Sequence, residues 1–279
     1  MTSVEDIYKH YEVLDRARDS ITKHEESYVS LLAACKAGDG QKRLAPSFIS
    51  KFFKYFPKLA DQAIDTLLDL CEEDDPNIRK LSIKVLPRLC QDMPDQVARI
   101  ADVLTQLLQT EEQSELRIVK EALLSLFKLD VKGSLAGLFS QILQGVEASR
   151  EQAVKFLQKS VGPHISQLLD KNEEAERYFL QETKKVLAED VTGEEFQAFM
   201  FLLPKLKLMS SASAIEELAE MVASQAGLTE DFQADDSERV HKLLCCMKSA
   251  IPFFQVSLKL SVCYTTMSKQ MVQREVQAN

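Results

Sequence analysis

Tryptophan is absent from this chain, glycine and proline occur only eight times each in 279 residues, and nothing approaches the roughly 18 consecutive apolar residues of a membrane span. So little glycine and proline, scattered between long periodic segments, argues against a sheet-rich fold or a flexible linker and leaves an all-helical class. No excess of positive charge is present either. Asp and Glu number 43 against 34 Lys and Arg, a net charge of −9, so the chain as a whole repels phosphate backbones and direct nucleic-acid binding is not expected. The six cysteines, Cys35, Cys71, Cys90, Cys245, Cys246 and Cys263, form no C-x-x-C pair. They read as reduced thiols of an intracellular protein. Residues 1–10 are acidic and lack the apolar core of a secretory signal.

What is present is a repeat. One apolar signature occurs as Ile64-x-x-Leu67-Leu68, Leu104-x-x-Leu107-Leu108 and Phe139-x-x-Ile142-Leu143, spaced 40 and then 35 residues apart. Such a period points to a helical solenoid, in which each repeat buries its apolar face only on its neighbours. A polar turn and a new helix start follow each copy, and Arg43, Arg79, Arg117 and Arg150 recur 36, 38 and 33 residues apart. Hydrophobic residues at 45% supply a core and charged residues at 28% a solvated face, with no second fold required.

In chain order, Thr2-x-x-Glu5 has the form of a capping box opening a helix whose stripe is Ile7, Tyr11, Leu14, Ala17 and Ile21. A second helix over 25–36 is expected to close at Gly38-Asp39-Gly40, where glycine adopts left-handed geometry. Residues 41–56 read as one helix with Phe48, Ile49, Phe52, Phe53 and Phe56 inward and Lys51 and Lys54 outward, stopped by Pro57. Helices at 60–71, 77–90, 95–110, 116–129, 135–144 and 148–160 continue the pairing, with another after Pro163. Later starts are marked by Thr192 to Glu195, Ser213 to Glu216 and Asp235 to Glu238, each with a capping residue three positions before Glu. They predict helices over 194–208, 214–226 and 237–254.

Several blocks then resemble a known family: Lys42-Arg43-Leu44-Ala45, Phe52-Phe53-Lys54, Leu59-Ala60-Asp61, Leu68-Asp69-Leu70-Cys71-Glu72, the run Ala101 to Thr110, the run Gly137 to Gly145, and Val191-Thr192-Gly193-Glu194-Glu195-Phe196. Colinear over residues 4–254, they are similar to the N-terminal half of the apoptosis inhibitor 5 family. The resemblance implies a HEAT-like right-handed α-solenoid of antiparallel helix pairs, a nuclear anti-apoptotic scaffold, and partners such as fibroblast growth factor 2 and Acinus. On this reading residues 1–40 are cap helices, 41–170 clear repeats and 171–254 degenerate repeats. From Gln255 the likeness lapses, and Val256, Leu258, Leu260 and Val262 alternate at strand period, so residues 255–279 are expected to form a divergent, poorly ordered tail. The family's basic import signal is not found before Asn279, which leaves the cytoplasm open as an alternative location. Oligomeric state is not legible.

Two surfaces stand out as protein-binding candidates. Leu104-Thr105-Gln106-Leu107-Leu108 has the L-x-x-L-L form that docks into receptor grooves, yet it occupies a repeat position whose equivalents are apolar, so burial is the preferred reading. Lys51 and Lys54 offer a basic face for an acidic or sulfated ligand. His241 and Cys245, spaced i,i+4 with Cys246 beside them, fall short of a zinc site without a second cluster. No nucleophile elbow or phosphate loop can be placed, so catalysis and cofactors have no support. A transport or assembly adaptor of the importin or armadillo kind competes on architecture alone. It predicts an Asn/Trp ladder or an acidic one, and neither Trp nor an Asn ladder is present.

Overall fold

The computed structural model describes residues 3–189, 191–226, 236–250, and the isolated positions 265, 268 and 269. All regular structure among them is helical. The strand-period run 256–262 and the order of the tail lie outside the described residues. The chain divides into two compact units, Met1–Gln141 and Ile142–Asn279.

In the first unit α1 is Val4–Ala17, α2 Glu25–Ala34, α3 Asp39–Lys42, α4 Ala45–Phe52, α5 Ala60–Asp69, α6 Pro76–Asp92, α7 Val97–Gln106, α8 Gln113–Leu129, and α9, Val131–Gln144, begins there. The first capping box is one residue later than expected. Ser3 Oγ accepts from Asp6 N at 3.1 Å and Asp6 Oδ2 accepts from Ser3 N at 3.0 Å. Helix α1 ends at Arg18, whose φ of 42° breaks the stripe, and Ile21 is buried from a separate 3₁₀ segment, Arg18–His24. No left-handed glycine closes α2: Gly38 has φ −80°, and 3₁₀-type bonds from Cys35, Lys36 and Ala37 complete the turn. The expected single helix over 41–56 is instead α3 and α4 followed by 3₁₀ turns at Phe53–Tyr55 and Pro57–Leu59. The breaks let Ile49, Phe52, Phe53 and Phe56 all reach the core, while Phe48 stays half-buried.

Burial corrects the register of the repeat. Ala63, Leu67 and Cys71 match Ile100, Leu104 and Leu108, then Ser134, Leu138 and Ile142, all buried. The equivalent residues Leu67, Leu104 and Leu138 are thus 37 and 34 positions apart, more even than the 40 and 35 of the letter pattern. The letters misled because Ile, Leu and Phe also occupy half-exposed positions such as Leu68 and Leu143. Gly137 shows how closely neighbouring helices approach: a Cβ there would lie 2.5 Å from Ala98 O and Asp102 N of α7. Beside it Gln141 Nε2 donates to Asp102 Oδ1 at 2.8 Å.

The second unit contains α10 Glu147–Phe156, α11 Ile165–Leu169, α12 Glu173–Ala188, α13 Gly193–Leu202, α14 Ala212–Gln225 and α15 Ser237–Ala250. The Thr192–Glu195 capping box forms as read. Ser211, not Ser213, caps α14 by accepting from Ala214 N, and Asp236 caps α15 by accepting from Glu238 N and Arg239 N. Helix α12 escaped the sequence reading because its inner face interleaves Ala175, Phe179, Val186 and Leu187 with buried Glu176, Glu182 and Thr183, which blurs the apolar period. Polar contacts hold it to later elements: Glu176 Oε1 accepts from Leu208 N at 3.0 Å, and Gln225 Nε2 of α14 donates to Leu187 O and Glu189 O at 2.7 Å each.

The arginine period also acquires a physical meaning. Arg43 pairs with Asp75 at 2.6 Å, Arg79 with Glu115 at 2.8 Å, and Arg150 with Glu195 through two nitrogens at 2.6 and 3.2 Å. The lysines Lys42 and Lys80 run alongside, tied to Glu73 at 2.6 Å and Glu112 at 2.7 Å. In each case the start of one repeat is clamped to the turn or cap that opens a later one. Arg117 is the exception, exposed and 3.9 Å from Glu121 on its own helix. Glu112 is also the N-cap of α8, accepting from Ser114 N and Glu115 N. The Lys80 ammonium and then the Ser114 hydroxyl hold its carboxyl down at about 2, against an ordinary 4.5. A carboxylate whose pKa is depressed on folding stabilises fully above its unfolded value and loses that contribution as pH falls through its folded one. Urea midpoints recorded from pH 5 to pH 2 should therefore fall more steeply for the native chain than for Glu112→Gln. Parallel curves would show that this cap is not formed.

Candidate interaction surface

The basic face proposed at Lys51 and Lys54 separates into two different environments. Lys51 Nζ donates to Asp15 Oδ1 at 2.6 Å and to Tyr11 OH at 2.5 Å, and lies 4.5 Å from the centroid of the Tyr11 ring. It ties α1 to α4, where the Tyr11 ring also packs tilted against Phe48 with centroids 4.3 Å apart. Lys54 is exposed and meets only the face of Tyr55, at 5.1 Å, with no ion pair among the described residues. Lys51→Glu should therefore lower the melting temperature, by setting a second carboxylate against Asp15, whereas Lys54→Glu should leave it nearly unchanged. Equal melting curves would remove the strut assigned to Lys51.

The leucine motif straddles a helix end. Leu104 is on α7, while Leu107 and Leu108 belong to the 3₁₀ turn Leu107–Gln109. Leu104 and Leu108 are buried and Leu107 is half-buried, so the three do not present one exposed face. Groove docking needs all three leucines on the outside of one helix. Burial of the whole motif was also too broad an expectation, because Leu107 keeps part of its side chain in solvent.

His241 Nε2 and Cys245 Sγ are 3.5 Å apart, but Gln197 Nε2 occupies the sulfur as a donor at 3.1 Å. Both groups pack over Gly193, where a Cβ would come within 3.0 Å of each. The contact is a close crossing of α15 on the start of α13, and no cluster of three or more His, Cys, Asp or Glu able to hold a metal occurs among the described residues. Burial pushes the thiols of Cys35, Cys71 and Cys90 up to about 12, far from the thiolate that chemistry would require.

Periodicity did not reveal a broad concavity of the second unit, since residues from separate helices form it. This groove of about 770 Å³ is lined by the outer faces of α10 and α13 and the start of α15. Val154 and Ala198 lie at its base. Arg150 is neutralised by Glu195 and Lys155 by Glu151. Glu147, Glu194 and Glu238 carry no ion pair among the described residues, against a single such cation, Lys159. The groove is therefore acidic, in keeping with the charge of the chain. A run of like charges could have hinted at it only if the helix pairing were already known.

Stacked helices with an open, charged groove across α10, α13 and α15 define a helical-repeat protein. Residues 4–275 match the family described as Apoptosis inhibitory protein 5 (API5), and the chain belongs to that family. The match continues past Phe254, where the likeness had been expected to lapse. The chain is 46% identical to Apoptosis inhibitor 5 of Homo sapiens over 254 residues, which is 91% of this chain and 48% of that protein. It is equally similar to the Mus musculus protein, at 46% over 91% and 49%. With the Apoptosis inhibitor 5 homolog of Drosophila melanogaster it shares 42% over 265 residues, 93% and 48% of the two chains. The chain spans about half the length of the curated relatives it matches.

Proposed function

We propose that the protein is a non-enzymatic, anti-apoptotic interaction scaffold whose partner face is the acidic groove of α10, α13 and α15. The observation that carries this reading is the set of carboxylates Glu147, Glu194 and Glu238, without an ion pair among the described residues, around an apolar base. The names of its relatives supply the process, and the groove supplies a means. Carboxylates without partners at a surface cost little in the free protein and attract a segment bearing Lys or Arg, raising its on-rate and fixing its register. Fibroblast growth factor 2 and Acinus, the partners that family resemblance suggests, are the first to test, and the nucleus is the proposed location.

The test is a joint reversal, Glu147→Lys with Glu194→Lys and Glu238→Lys, assayed by surface plasmon resonance against both proteins at two salt concentrations. All three side chains are exposed but lie in the first turns of α10, α13 and α15, where a cation opposes the helix dipole. The melting temperature should therefore fall modestly while the chain stays folded, and the neutral set Glu147→Gln with Glu194→Gln and Glu238→Gln should lose affinity with a smaller shift. Affinity for at least one partner should drop by about tenfold or more, equal to about 1.4 kcal/mol, and the salt dependence should flatten. Unchanged affinity for both would remove the groove from the function.

A further inference from the structure

The first unit carries a second, smaller groove of opposite character. It holds about 270 Å³ between α6 and α8. Lys84 and Arg88 stand one turn apart on the α6 wall, both exposed. Neither forms an ion pair among the described residues, whereas Lys80, a turn earlier on the same helix, is held by Glu112. Ile118 and Ala122 of α8 form the floor, and both are buried. At the end of α8 Leu129 is 42% exposed, although a fully apolar side chain gains nothing from solvent there. The carboxylate in the groove is Glu121, 3.9 Å from Arg117.

These features select among anionic ligands. Two free cations beside one carboxylate are too few for a nucleic-acid backbone, which needs many phosphate contacts in a row. A free inorganic anion would use the cations but leave Leu129 and the apolar floor idle. An acidic protein segment with one large apolar side chain satisfies both, since charge attracts it and the anchor displaces water from Ile118 and Leu129. We propose that the α6–α8 groove docks such a segment of a partner protein, with its carboxylates on Lys84 and Arg88 and its apolar side chain against Leu129. This surface is separate from the acidic groove of the second unit and takes a partner of opposite charge.

The probes are fluorescein-labelled synthetic peptides: one with Asp and Glu flanking a single Leu, its Asn/Gln counterpart, and a version with Ser for Leu. Fluorescence anisotropy with the full chain should show binding of the first alone. Lys84→Glu combined with Arg88→Glu should weaken it at least tenfold, and Leu129→Ser severalfold, with melting curves unchanged because all three side chains are exposed. The triple reversal in the acidic groove should leave this peptide's affinity as it was. Several results would overturn the proposal: no binding of the acidic peptide, equal binding of the amide peptide, or indifference to the double reversal. So would full displacement by inorganic phosphate, which assigns the cations to a free anion. Sedimentation showing a dimer that the double reversal dissociates would assign the groove to a second copy of the chain.

Discussion

Replacing Arg79 by alanine will lower the stability of the first unit by about 3–5 kcal/mol, toward the lower end because the arginine keeps partial contact with water. Glu115 is only 3% exposed and receives both Nε and Nη2 of Arg79, at 2.9 and 2.8 Å. The same guanidinium donates Nη1 to Glu73 O and Asp74 O at 2.8 and 3.0 Å, closing the acidic turn before α6. Truncation therefore leaves a buried carboxylate and two carbonyls without their donor. Lys is no adequate substitute, since one ammonium cannot span a carboxylate and two carbonyls in the planar fork that Arg provides. The paired change Arg79→Met with Glu115→Leu should recover most of the loss in a double-mutant cycle monitored by urea denaturation. If Arg79→Ala alone proves neutral, the clamp carries no weight and the arginine period has some other cause.

Leu104→Ala will cost about 2–5 kcal/mol, combining lost transfer energy with the cavity left behind. Its side chain is fully buried, in the position that Leu67 and Leu138 hold in the neighbouring repeats. Leu107→Ala will cost less, because that side chain is only partly buried on a 3₁₀ turn beyond the end of α7. Thermal melts of the two variants distinguish a core repeat from a docking motif. A stable Leu104→Ala chain would mean that the buried register at 67, 104 and 138 is misplaced.

Much of the fold was legible from local chemistry. Apolar residues at helical spacing place Ile7, Leu14, Ile49, Phe52 and Leu104 inward, and the side-chain cap at Thr192 marks a helix start, because both signals are satisfied within a few residues of chain. Where two caps compete within a turn, as Thr2 with Ser3 or Ser213 with Ser211, the sequence cannot arbitrate. The choice depends on which start aims the apolar stripe at a neighbour. Helix α12 was invisible for a related reason: Glu176 and Thr183 look like surface residues until later elements bury them.

The interaction surfaces were the least legible. Lys51 and Lys54 lie three residues apart and share a helix face on paper, yet Asp15, from a distant part of the chain, occupies one and not the other. The arginine period was visible only as a spacing, and three of its four members, Arg43, Arg79 and Arg150, are clamps between repeats. By itself the sequence determined the helical class, the repeat and the family, which depend on the order of residues along the chain. Only the tertiary structure decided which charges have no ion pair among the described residues, in the acidic groove at Glu147, Glu194 and Glu238 and in the basic one at Lys84 and Arg88. An ion pair is set by distance in space across helices, and residues more than thirty positions apart, such as Arg79 and Glu115, become neighbours only when the helices stack.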